Sequence, residues 1–125
     1  MIHHVSIGAK DLAAAKRFYD KTLAPLGFKC LMEGDAYLGY GAEGPEFWVL
    51  AAKHPVQADD ESGLHFCLQA PSRKAVDGFH AAALKSGGRD NGKPGIREMY
   101  HLDYYSAFIL DADGNNIEAV CHLAE

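Results

Sequence analysis

His4-Val-Ser-Ile-Gly-Ala-Lys-Asp-Leu-Ala-Ala-Ala-Lys-Arg-Phe-Tyr-Asp-Lys-Thr-Leu-Ala-Pro-Leu-Gly27 and His65-Phe-Cys-Leu-Gln-Ala-Pro-Ser-Arg-Lys-Ala-Val-Asp-Gly-Phe-His-Ala-Ala-Ala-Leu-Lys-Ser-Gly-Gly88 are one unit written twice. A gapless shift of 61 residues (65 minus 4) lays His4 on His65, Ile7 on Leu68 and Asp11 on Ser72. It also lays Phe18 on Phe79, Leu23 on Leu84 and Gly27 on Gly88. Each copy reads as an alternating strand, an N-cap residue, an amphipathic helix and a terminating glycine. Repetition of this kind constrains architecture more firmly than local propensity does. It also sets one histidine at the same place in each copy.

Working outward, Ile2–Gly8 alternates as a strand, and Asp11 caps a helix with Leu12, Ala15, Phe18, Tyr19 and Leu23 on its apolar stripe. Three short strands follow at Phe28–Glu33, Ala36–Gly41 and Glu46–Ala52, divided by the turn signals Gly34-Asp35 and Gly44-Pro45. The polar run Lys53–Ser62 is the connector. The second copy begins with a strand at Gly63–Gln69 and a helix capped by Ser72. Arg89–Asp103, with Gly92, Pro94 and Gly95, reads as a broken strand with a mobile loop. Tyr104–Leu110 and Asn116–His122 are strands around the hairpin turn Asp111-Ala-Asp-Gly-Asn115. The expected fold is therefore α+β: two tandem βαβββ modules forming a curved mixed sheet with helices on the outer face. Module 1 covers about 1–52, the connector 53–62 and module 2 about 63–125, all in one domain.

Bulk properties narrow the function. A length of 125 residues allows one core, and 48% hydrophobic residues is ordinary for a globular chain. The net charge of −5, with no basic run, argues against nucleic acid and anionic membranes as partners. No apolar stretch approaches a membrane span and the N-terminus has no signal pattern. Cys30, Cys67 and Cys121 show no CxxC spacing and read as reduced thiols of a cytoplasmic protein.

Strand alternation sorts the polar residues by face. Val5 and Ile7 point toward the helix, as do Phe66 and Leu68, and Ile117, Ala119 and Cys121. His4, His65 and Glu118 then share the opposite, concave face, and His3 is structural or terminal. Two imidazoles and a carboxylate on one face are a donor set for a divalent metal with positions left open for substrate. Before the seventh strand, Tyr105 and His101 are the candidates to touch ligand or donate a proton. Phe47 and Trp48 read as core, with Phe47 also a candidate to line the pocket. Arg89, Lys93 and Arg97 read as a solvated loop, His54 and His80 as surface residues, and His122 as a partner to the metal ligands or an exposed residue.

These motifs together resemble the vicinal oxygen chelate superfamily, which includes glyoxalase I, extradiol dioxygenases, fosfomycin-resistance transferases and bleomycin-resistance proteins. The resemblance rests on His4–Leu12 followed by Phe18-Tyr19 and Leu26-Gly27, on the strand at His65, and on Phe108-Ile-Leu-Asp-Ala-Asp-Gly-Asn-Asn-Ile-Glu118. Ala112 replaces the proline of the family's D-P-D-G turn. The resemblance implies His4, His65 and Glu118 as metal ligands, and one divalent ion of Fe, Mn, Ni or Zn. At the fourth strand, where glyoxalase I places a further ligand, the matching residue is read as Val49, which is assigned with Phe47 and Tyr105 to the substrate pocket. The implied activity is lyase/isomerase, dioxygenase or thiol-transfer chemistry on a small oxygen-rich substrate. The alternative is a metal-free binder of the bleomycin-resistance type. A homodimer is implied, its modules either pairing within a chain or exchanging between subunits.

Overall fold

A computed structural model describes residues 1–59 and 61–124. Its elements run β1 (Val5–Ala9), α1 (Leu12–Thr22), a 3-10 turn (Ala24–Leu26), β2 (Lys29–Glu33), β3 (Tyr37–Gly41) and β4 (Phe47–Ala51). The second module repeats the pattern with β5 (Phe66–Gln69), α2 (Arg73–Lys85), β6 (Arg89–Ile96), β7 (Tyr105–Leu110) and β8 (Asn116–Cys121). The caps repeat too. Asp11 accepts from the Ala14 amide and Ser72 from the Ala75 amide, each relieving an orphan donor of the first helical turn.

The strands form two four-stranded mixed sheets, one per module, ordered β1-β4-β3-β2 and β5-β8-β7-β6. In each, the first strand runs parallel to the last, because the helix supplies the crossover that parallel pairing requires. Both helices cover one side, and a single core joins the modules, with Phe18, Tyr19 and Phe47 from one and Val76, Phe79 and Ile117 from the other. α1 approaches the turn after α2 closely at Gly88, where a Cβ would lie 2.7 Å from the Phe18 ring.

A buried polar tie also joins the modules. Asp111, 5% exposed, accepts from the Tyr19 hydroxyl at 2.6 Å, from Asn115 Nδ2 at 2.8 Å, and from the amides of Asp113 and Asn115. Asn115 Nδ2 also donates to the Gly8 carbonyl, and the Lys10 amide to Asp113. Gly114 holds the turn with φ of 84°. Burial, with the Asp111 carboxylate second, drives the Tyr19 phenol well above its ordinary value.

The broken strand expected within Arg89–Asp103 runs over Arg89–Ile96 with two register shifts at its glycines, and an irregular segment follows it to β7. Two local expectations change. His80 is buried, its Nε2 2.9 Å from Asp90, so it ties α2 to β6 and is not a surface residue. Arg97 is no solvated loop residue: its guanidinium donates to the carbonyls of Gly95, Ser106 and Lys93. No helix among the described residues is long and apolar enough to cross a membrane.

Candidate functional site

His4 and His65 each stand one residue before their strand, at the same point of each module. With Ile2, Glu46 and Cys67 they line one cleft of about 370 Å³ between the two modules, within the range that small-molecule sites occupy.

On the second module's side of the cleft, His65 is paired with Glu118. This carboxylate is 2% exposed, held where β8 pairs with both β5 (Cys67↔Glu118) and β7 (Phe108↔Glu118). His65 Nε2 lies 3.1 Å from its Oε1, and the Tyr104 hydroxyl donates to its Oε2 at 2.6 Å. His65 is oriented from behind, where its Nδ1–H donates to the Gly63 carbonyl at 3.0 Å. Phe108 packs on His65 with ring centroids 5.4 Å apart, and the Arg97 guanidinium lies over Phe108 at 5.6 Å.

This geometry carries a chemical requirement. A carbonyl accepts only, so Nδ1 of His65 holds its proton, and in neutral imidazole the lone pair then sits on Nε2. A lone pair facing a carboxylate at 3.1 Å is repulsive unless a proton or a cation lies between them. The bridge is either a proton shared by the ring and the carboxyl group or a cation held by both atoms. Donor atoms each bonded at about 2.1 Å to one ion are about 3.0 Å apart at octahedral angles and about 3.4 Å apart at tetrahedral ones, so the 3.1 Å separation is that of two adjacent ligands. The Gly63 carbonyl behind the imidazole and the Tyr104 hydroxyl behind the carboxylate are the outer partners that metal ligands generally carry.

Desolvation, with the Glu118 carboxylate second, pushes the Cys67 thiol up to about 12, so it faces the cleft as a protonated thiol and not a nucleophilic thiolate. Desolvation and the hydrogen bond to Glu118 likewise raise the Tyr104 phenol above its ordinary value.

His4 lies across the cleft but is engaged elsewhere. Its Nδ1 shares a hydrogen with Nδ1 of His3 at 2.8 Å, and its ring meets Trp48 edge-on at 6.4 Å. Among the described residues no three His, Cys, Asp or Glu side chains stand close enough to share an ion. The structure thus brings together His65 and Glu118, and leaves His4 on the facing wall.

The other site expectations need correction. Phe47 and Val49 are fully buried and do not line the cleft. β4 pairs with β1 as Val5↔Phe47 and Ile7↔Val49, which turns both side chains to the helix side, where Phe47 packs on Tyr19. Trp48, expected in the core, occupies the open side instead, so the fourth-strand position facing His4 is Trp48 and not Val49. Tyr105 also faces the helices: its hydroxyl donates to Asp77 at 2.6 Å and Arg73 lies over its ring. Its neighbour Tyr104 is the phenol that reaches Glu118. The alternation Tyr105-Ala107-Ile109 under α2 was the available signal. His101 is exposed and accepts from the Asp103 amide, and His122 stacks between the His101 and Tyr104 rings at the rim.

A mixed sheet per module, outer helices and a histidine–glutamate centre define a two-module fold with a cleft between the halves. Residues 1–119 match the sequence model of the Glyoxalase/Bleomycin resistance protein/Dioxygenase superfamily, and the chain belongs to it. It is similar to a glyoxalase/bleomycin resistance protein from Albidiferax ferrireducens T118, with 30% identity and a TM-score of 0.81 over 94% of this chain and 95% of that one. A glyoxalase/bleomycin resistance protein/dioxygenase family enzyme from Burkholderia phytofirmans PsJN shares the fold at 17% identity, TM-score 0.72 and 98% of each chain. So does a glyoxalase-related enzyme from Fulvimarina pelagi, at 14% identity, TM-score 0.71, 96% of this chain and 86% of that one. No curated protein matches the chain.

Proposed function

We propose that the protein is a divalent-metal-dependent enzyme acting on a small oxygen-rich substrate by lyase/isomerase, dioxygenase or thiol-transfer chemistry. The observation that carries this is the approach of His65 Nε2, on a ring held by the Gly63 carbonyl through Nδ1, to 3.1 Å of the buried Glu118 carboxylate. His65 and Glu118 supply two donors and His4 the third, from the same chain or, where modules exchange in a homodimer, from the second copy. An Fe, Mn, Ni or Zn ion held there would supply Lewis-acid chemistry at a substrate oxygen. The chain's own groups do the rest. Tyr104 holds Glu118 by one of its two oxygens. Cys67 lines the cleft as a neutral thiol, and Phe108, backed by Arg97, fixes the imidazole plane. Free thiols at Cys30, Cys67 and Cys121 suit a cytoplasmic protein.

Equilibrium dialysis against Mn(II) and Zn(II), followed by metal analysis, tests the reading. Stoichiometric uptake that is lost in His65→Ala is the expected result. Turnover would then be sought among hemithioacetals, catechols and fosfomycin plus thiol. The position of His4 favours a second reading, a metal-free binding protein of the bleomycin-resistance type, and no uptake of either ion by the wild type would select it.

A further inference from the structure

The two modules lay the same ladder beside the cleft. β1–β4 pairs Ser6 with Trp48, and β5–β8 pairs Cys67 with Glu118. The repeat equates Ser6 with Cys67, so Trp48 is the counterpart of Glu118. Where module 2 places a carboxylate, module 1 places an indole. The backbone is fitted to that ring: a Cβ on Gly39 would stand 2.8 Å from Trp48 Cζ3, 2.9 Å from Cη2 and 3.1 Å from Pro45 Cβ. Tyr37 braces the indole at 5.9 Å and His4 meets it edge-on. Trp48 then lines a depression of about 480 Å³ that shares His3, His4 and Glu46 with the main cleft. Glu43 and Glu46 stand at its rim.

We infer that Trp48 is a specificity-determining residue, a stacking platform for a planar ring on the substrate whose neighbouring oxygens face His65 and Glu118. This rests on the function proposed above and narrows it to aryl-bearing substrates. The ring stacks on the indole in the offset geometry that aromatic pairs prefer. The rim carboxylates exclude ring substituents that are anionic. An aliphatic ring of the same size has no such partner.

Trp48 is the chain's single tryptophan, so its emission reports on this wall alone. The test titrates 1-phenylethane-1,2-diol and 1-cyclohexylethane-1,2-diol, neutral compounds with identical oxygens, into Zn(II)-treated and metal-free protein. Emission is followed in the wild type, and calorimetry in Trp48→Leu and Trp48→Phe. The expected result is a change in emission with the phenyl compound and roughly fivefold tighter binding than its cyclohexyl partner. That preference is abolished in Trp48→Leu and partly kept in Trp48→Phe. Gly39→Ala, which pushes the indole from its seat, weakens it. Equal affinity for the two diols, no binding of either, or a preference that survives in Trp48→Leu overturns the inference. A phenyl preference without metal uptake upholds Trp48 and defeats the metal reading. Metal uptake without a preference does the reverse.

Discussion

The two modules share one backbone plan and differ in what they hang on it. Tyr19 of α1 and His80 of α2 occupy the same place in the repeat, and each sends a polar ring tip to an aspartate. Tyr19 reaches across to Asp111 in the other module, and both groups are buried. His80 reaches only to Asp90 of its own module, whose side chain is 41% exposed. On the cleft side the contrast is sharper still. Module 2 sets His65 and Tyr104 on Glu118, whereas module 1 sets His4 on Trp48. A duplicated frame supplies symmetric positions, and divergence at a few of them has made one wall ionic and the other aromatic.

That contrast can be broken by substitution. The largest effect is expected at the inter-module tie. Asp111→Ala strands the buried Tyr19 hydroxyl and removes the acceptor of the Asp113 and Asn115 amides, at a cost of about 3 kcal/mol in urea unfolding. An unchanged midpoint would show that the modules do not depend on this tie. Next comes Tyr104→Phe, which frees Glu118 to rotate and lowers Zn(II) or Mn(II) affinity about tenfold, with little change in unfolding midpoint. Its control is Tyr105→Phe, which faces α2 and leaves metal affinity alone.

The smallest effect is expected at Asp90, a partly exposed pair contributing no more than about 1 kcal/mol. The hydrogen bond from His80 holds the Asp90 carboxyl below its ordinary value. Its contribution is therefore complete above the unfolded carboxylate range, about pH 4, and is lost as pH falls through the depressed folded value. The stability gap between wild type and Asp90→Asn should be flat near neutrality and close in acid. A gap that widens in acid would contradict the assignment.

Much of this was legible in the sequence, and the failures share a cause. The 61-residue repeat gave the element order, both helix caps and the equivalence of His4 with His65. Alternation in β5 and β8 placed His65 and Glu118 on one face, because Leu68, Ile117 and Ala119 mark the other side without ambiguity. β4 was ambiguous: Phe47, Trp48 and Val49 are all apolar, so alternation has no phase until Val5↔Phe47 pairing sets it. Tyr104 and Tyr105 posed the same problem at a strand's edge, where one residue of register exchanges cleft for core. His80 is buried like Tyr19, its equivalent in the repeat, although a histidine on a helix carries no burial signal of its own. The engagement of His4 with His3 lies beyond alternation altogether, since it depends on the side-chain rotamers of two adjacent residues.

The most direct test is nitrogen NMR of histidine-labelled protein during titration with Zn(II). His65 and His4 resonances should move together and saturate at stoichiometric metal, with His65 reporting coordination through Nε2, while the other imidazoles stay in place. If none of the histidine signals shifts, or if His65 responds while Glu118→Gln responds equally well, the His65–Glu118 pair is not a metal centre.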